Sequence, residues 1–210
     1  KQARYNILYP KRYKKLLPQV FADMKAQGVE SVVMNGDITN KDTPGFARNV
    51  RKIAFASGLD ILWTRGNHDL RKTSKYYFPG GSYYYYEDRG DWRIIVLDSN
   101  YIKPNGWGGV DDPQVEWLKI AVAEASGSVI VFMHHPIFMI NEKRPDDIYP
   151  GYTYLESALS ESGKVKYVIS GHVHLPYQFG KSLNDVQYYA NIPLALKGHL
   201  NSYQVIDLKK

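Results

Sequence analysis

The sequence predicts an α/β fold, a sheet with parallel strands covered by helices. Three observations carry this. Amphipathic helical stretches alternate with short apolar runs rich in Val and Ile, the order that builds parallel sheets. Four of those runs end alike: Val32-Val-Met34 in Gly36-Asp37, Ile61-Leu-Trp-Thr64 in Arg65-Gly-Asn-His-Asp69, Val129-Ile-Val-Phe-Met133 in His134-His-Pro136, and Val165-Lys-Tyr-Val-Ile-Ser170 in Gly171-His-Val-His174. The chain is 210 residues long, enough for one substantial core.

The elements follow in order. Lys1 to Tyr13 has no apolar periodicity and reads as loop. Pro18 to Gln27 reads as a helix, with Pro18 in its first turn, Gly28 as its stop, and Leu17, Val20, Phe21 and Met24 on one buried face. The strand to Asp37 comes next. Thr43 caps a second helix that starts at Pro44, buries Phe46, Val50, Ile53 and Ala54, and ends at Gly58. After the strand to Thr64 the pattern loosens. Tyr83 to Tyr86 alternate like an amphipathic strand, which this arrangement favours over a base-stacking platform.

Ile94 to Leu97 is a strand ending in Asp98. A loop with Pro104, Gly106, Gly108 and Gly109 follows, then a helix capped by Asp111 or Asp112 with Pro113 at its start. Asn141 to Gly151 is a polar loop placed to overhang the strand ends. Tyr152 to Ser162 reads as a helix, and Val186 to Ala190 and Tyr203 to Leu208 as closing strands. No linker, repeat or low-complexity tract interrupts the pattern, so residues 1–210 read as a single domain.

Composition excludes several functions. There is no cysteine, hence no disulfide, thiolate metal site or cysteine nucleophile. No apolar run approaches the roughly 20 residues of a membrane span. The formal charge is +6, and Lys1, Arg4, Lys11, Arg12, Lys14 and Lys15 fall in one acid-free segment. A solvated arm is favoured there over a nucleic-acid patch, and a loop attracting an anionic substrate is a third reading. The oligomeric state is left open, and so is the compartment, with the cytoplasm favoured.

A lone His at a strand end is more often a hydrogen-bonded structural residue than a ligand. Here His68, His134, His135, His172 and His174, five of the six histidines, fall at predicted strand ends, together with Asp37 and Asn67. In open α/β sheets ligands sit beyond those ends, so carboxylate, amide and imidazole gather where a metal cluster needs them. Without thiolate, such a set suits Mn, Fe, Zn or Ni.

In this order and spacing, Gly36-Asp37-Ile-Thr-Asn40, Gly66-Asn-His-Asp69, Met133-His-His-Pro136 and Gly171-His-Val-His174 resemble the signature blocks of the calcineurin-like metallophosphoesterases. Leu97-Asp98 and the helix with Gln114, Trp117 and Leu118 resemble lesser features of the same family. The resemblance implies a four-layer αββα sandwich of two mixed β-sheets flanked by helices. It implies a phosphoester substrate and two divalent transition-metal ions, manganese favoured. Asp37 would bridge the ions, Asn67, His134 and His172 would complete one, and His174 would bind the other. His68 would be catalytic, beside the phosphate, with Asn67 contacting substrate. Arg65, beside the Asn67 block, and Trp107, in the Gly-rich loop, are candidate substrate contacts by position, with a structural or solvent-facing role favoured for each. Asn40, Asp69 and His135 would orient the ligands. Two cations roughly 3.5–4 Å apart neutralise the phosphoester, and a hydroxide between them attacks in line.

The family's first block, Asp-x-His at the end of a first strand, has no match in this sequence. The expectation is a domain lacking its first strand, with the natural polypeptide extending upstream of Lys1. The function read from the sequence is hydrolysis of a phosphomonoester or phosphodiester. The alternative is a degenerate member with one metal or none, acting as a binding or regulatory module.

Overall fold

The computed structural model describes residues 13–39, 43–69, 71–78, 80–101, 108–138, 152–174, 179–191, 195–196, 199–200 and 203–208. Its elements are α1 (Tyr13–Ala26), β1 (Ser31–Asn35), α2 (Pro44–Ala56), β2 (Asp60–Thr64), α3 (Arg71–Ser74), β3 (Tyr85–Arg89), β4 (Trp92–Val96), α4 (Asp112–Ala123), β5 (Ser128–Phe132), α5 (Thr153–Ser160), β6 (Val165–Ser170), β7 (Phe179–Leu183), β8 (Val186–Ala190), β9 (Ala195–Leu196) and β10 (His199–Leu200).

β4 and β5 are buried on both faces, and successive side chains face opposite sides of the strand. Ile95, Val129 and Val131 face α4 and α5, packing against Leu118, Leu155 and Leu159. Ile94, Val96, Ile130 and Phe132 face the other way and meet Leu62 of β2. Beyond β1 and β2 lie α1 and α2, whose Val20, Phe21, Val50 and Ala54 bury against Val32. Helices, two-stranded sheet, six-stranded sheet and helices therefore stack as the four layers expected. The larger sheet is mixed, in the order β3-β4-β5-β6-β8-β7. The smaller differs from the expected mixed sheet: among the described residues it is β1 and β2 alone, paired in parallel.

Four expectations change. The first helix takes in Tyr13–Ala26, with Pro18 inside it. An internal proline costs ~3 kcal/mol, and two buried side chains at ~1.5–3 kcal/mol each offset it. Those are Leu17 and Tyr13, whose ring packs 4.2 Å from Phe46. Residues 203–208 form no strand. Ile206 and Leu208 pack into the core between the sheets, and the Tyr203 hydroxyl bonds Asp23 of α1 and Gln27 just after it, so their alternation reflects packing rather than pairing. β7 is additional, joined to β8 by Asn184 and Asp185 at φ 49° and 61°, as a two-residue hairpin turn requires. The tyrosine run enters its strand only at Tyr85, yet alternates as expected. Tyr83 and Tyr85 face the core beneath α1 and α2, while Tyr84 and Tyr86 pack on Trp117. Asp111, not Asp112, caps α4 by accepting from the Gln114 amide at 3.2 Å. Residues 1–12, Asn40, Trp107 and the loop from Asn141 to Gly151 lie outside the described residues.

A cavity of about 1320 Å³ runs along β1 between α1 and the six-stranded sheet. Its walls include Leu17, Phe21, Val33, Ile130, Phe132 and Ile206. At its far end stand Asp37, His68, His134, His172 and His174.

Candidate metal centre

Each candidate side chain leaves the end of a strand. Asp37 follows β1 at φ 51° and His172 follows β6 at φ 62°. These left-handed conformations are uncommon for non-glycine residues and cost of order 1–3 kcal/mol, and they turn both side chains toward one point. Gly66 makes room: a Cβ there would lie 2.1 Å from the Asp37 amide nitrogen and 2.3 Å from its Oδ1.

His134 stands at the centre, 1 % exposed. Its Nδ1 lies 3.0 Å from the Asn35 carbonyl oxygen, which can only accept, so Nδ1 carries the proton. In the neutral ring, Nε2 then presents a lone pair. It faces Asn67 Oδ1 at 3.1 Å, Asp37 Oδ2 at 3.3 Å and His172 Nδ1 at 3.3 Å. Asn67 Oδ1 and His172 Nδ1 are 3.1 Å apart. Four acceptor-bearing atoms this close repel unless a cation or proton sits among them. Ligand bonds of ~2.0–2.2 Å put neighbouring donor atoms about 3.0–3.4 Å apart in octahedral or tetrahedral geometry, so the set fits a divalent ion.

The electrostatics agree. Burial would raise the Asp37 carboxyl, but the His134 ring and the His68 amide, which donates to Oδ1 at 2.9 Å, outweigh it and hold the group at about 2. Burial opposes protonation of His134, yet the Asp37 carboxylate raises its pKa above the usual imidazole value. His172 is lowered to about 4 by burial and then by His134, and half-buried His174 is also lowered, mainly by burial. Positive charge is therefore favoured beside Asp37, while His172 and His174 stay neutral and free to ligate.

Asp69 is 2 % exposed and holds the turn after β1. Its carboxylate accepts from the amides of Ile38 at 3.0 Å, Thr39 at 2.8 Å and Gly66 at 3.2 Å. Burial lifts its pKa to about 6 against these donors. His135, 2 % exposed, offers a nitrogen within 4.8 Å of those of His134 and His172. Its Nδ1, however, lies 2.9 Å from Ser99 Oγ. His68 and Asn67 are exposed at the mouth of the cluster, and His174 lines the cavity beside it.

Arg65 points elsewhere. Its Nη2 lies 2.7 Å and its Nε 3.2 Å from the Asp98 carboxylate, and its guanidinium lies 4.2 Å from the Tyr83 ring centroid. With its fork and charge engaged, Arg65 ties the end of β2 to the end of β4, a structural role of the kind favoured for it. Ser99 was missed in the sequence because one serine after Asp98 carries no local signal.

Comparison with known proteins is consistent with this site. The family model described as calcineurin-like phosphoesterase matches residues 11–176. A probable cyclic nucleotide phosphodiesterase of Synechococcus sp. is 27% identical over 171 residues, covering 78% of this chain and 65% of that protein. One from Rhodococcus erythropolis is 25% identical over 177 residues, covering 75% and 56%. The chain thus spans under two thirds of the length of these relatives. A dimetal phosphatase from Danio rerio has the same fold, with a TM-score of 0.69 at 17% identity, covering 90% of this chain and 80% of that one.

Proposed function

Because the chain belongs to the calcineurin-like phosphoesterase family, which implies divalent metal ions, we propose that it is a metal-dependent phosphoester hydrolase acting on phosphodiesters of the cyclic-nucleotide class. The observation that carries the reading is the convergence of Asp37, Asn67, His134 and His172 donor atoms at 3.1–3.3 Å. The named activities of the curated relatives favour a diester.

A bound ion supplies positive charge against the anionic phosphoester and lowers the pKa of water, with manganese favoured among Mn, Fe, Zn and Ni. The protein's own groups do the rest. The Asn35 carbonyl keeps the His134 proton on Nδ1 and leaves Nε2 for the ion. Asp69 holds the backbone after Asp37, fixing the carboxylate that would bring negative charge to the ion. His68, beside Asp37 and open to solvent, is placed to hold a proton for the leaving oxygen, and the Asn67 amide group to touch the phosphate. The test is a panel of 4-nitrophenyl phosphate, bis(4-nitrophenyl) phosphate and cyclic nucleotides, with Mn²⁺ and with chelator. Diester hydrolysis that chelator abolishes and Mn²⁺ restores is expected. Chelator-insensitive hydrolysis, or none of any ester, refutes the reading.

We also propose that an extended apolar strand bearing an Asp-x-His pair seats in the cavity along β1 and brings donors for a second ion beside Asp37 and His174. The cavity's length along β1, its apolar walls and its end at the cluster support this. So does Asn35 Oδ1, a buried acceptor left without a donor. A polypeptide that includes such a strand is expected to bind two metals per chain, and the 210-residue chain one. Equal stoichiometry contradicts the proposal.

A further inference from the structure

His134 and His172 are anchored differently. His134 gives its outward nitrogen to the Asn35 carbonyl, as metal-binding histidines ordinarily do. His172 meets Asn67 and His134 through Nδ1, and its Nε2 makes no hydrogen bond among the described residues. Its outer edge is therefore held by packing: its ring packs on His135, with centroids 4.4 Å apart at 49°, and on His134, with centroids 5.2 Å apart at 79°.

His135 is itself fixed by Ser99. Ser99 is wholly buried, and its Oγ accepts the His135 amide at 3.0 Å and lies 2.9 Å from Nδ1 of the same residue. One oxygen thus sets both the backbone and the ring. Ser99 is placed in turn by Gln114, whose carboxamide accepts from the Asp98 amide at 2.7 Å and donates to the Asp98 carbonyl at 3.0 Å. Gly108 closes the other side: a Cβ there would lie 2.6 Å from the His135 ring and 2.6 Å from the Ser99 carbonyl oxygen. The ring therefore has no room to turn, and the turn after β4 is built around it.

We propose that Ser99 is a positioning residue: through His135 it fixes the His172 ring, and so the spacing of the donor atoms that face the ion. This rests on the metal-dependent reading above only for its second readout. The first uses metal-free protein, in which the imidazole ¹H–¹⁵N spectrum reports the tautomer and order of His172 directly. Wild type is expected to show one ordered His172 tautomer, and Ser99→Ala an averaged, broadened signal. The second readout is Co²⁺ titration followed by visible absorption. Ser99→Ala should raise the Co²⁺ dissociation constant about 10–100-fold, the usual effect of removing a group behind a ligand.

His135→Phe keeps a ring but loses the Ser99 bond, so it should show both effects, and the double variant should lose no more than His135→Phe alone. If Ser99→Ala does not fold, His135→Phe carries both readouts. Unchanged His172 resonances, unchanged Co²⁺ affinity, or losses that add in the double variant overturn the proposal. Absence of Co²⁺ binding in the wild type sinks the metal-dependent reading instead, and the His172 spectrum still decides this one.

Discussion

His172→Ala is expected to lose its metal under dialysis that leaves wild type loaded, and its phosphoester turnover to fall by at least about 10³-fold, the several kcal/mol of charge stabilisation that a bound ion would contribute. The substitution removes one of the four converging donor atoms, His172 Nδ1, which sits 3.1 Å from Asn67 Oδ1 and 3.3 Å from His134 Nε2. Asp37→Asn should match it, because the carboxylate is the charge that balances the ion. Elemental analysis after identical dialysis checks both, with circular dichroism confirming the fold. Equal metal in wild type and variants contradicts the assignment of these residues.

His68→Ala behaves differently. It should keep its metal and lose kcat by about 10²–10⁴-fold, the typical contribution of a general acid. The side chain is exposed at the mouth of the cluster, while its backbone amide, which any residue supplies, donates to Asp37 Oδ1 at 2.9 Å. The loss should be smallest with 4-nitrophenolate as leaving group, which departs without a proton. If His68→Ala releases metal as readily as His172→Ala, the role given to His68 is wrong.

The strand ends were legible because chemistry and punctuation coincide there. A buried β-branched run that stops at Gly36-Asp37 or at His134 states both where the strand ends and what it carries. The layer order was legible too, through the two-residue alternation that divides Ile94 and Val96 from Ile95 and Leu97. What failed depended on contacts distant in sequence. Pro18 marks a helix start by local rule, and only the packing of Tyr13 on Phe46 shows the helix continuing before it. Residues 203–208 alternate like a strand, yet Ile206 and Leu208 pack between the sheets rather than pairing. The turn at Asn184 and Asp185 lacks the glycine that usually marks such hairpins. Arg65 sits beside the Asn67 block in sequence, and only the fold shows that Asp98, just beyond the end of β4, is where its charge goes. Ser99 and Gly108 matter only once the His135 ring lies between them.

The central claim is that four side chains from separate strand ends hold one divalent ion. A crystal of the protein soaked in Mn²⁺, with diffraction recorded on both sides of the manganese absorption edge, tests it most directly. An anomalous peak is expected about 2.0–2.3 Å from Asp37 Oδ2, Asn67 Oδ1, His134 Nε2 and His172 Nδ1, the range of such ligand bonds. A peak held by other residues, or none in a crystal where Asp37 and His134 keep their places, contradicts the account.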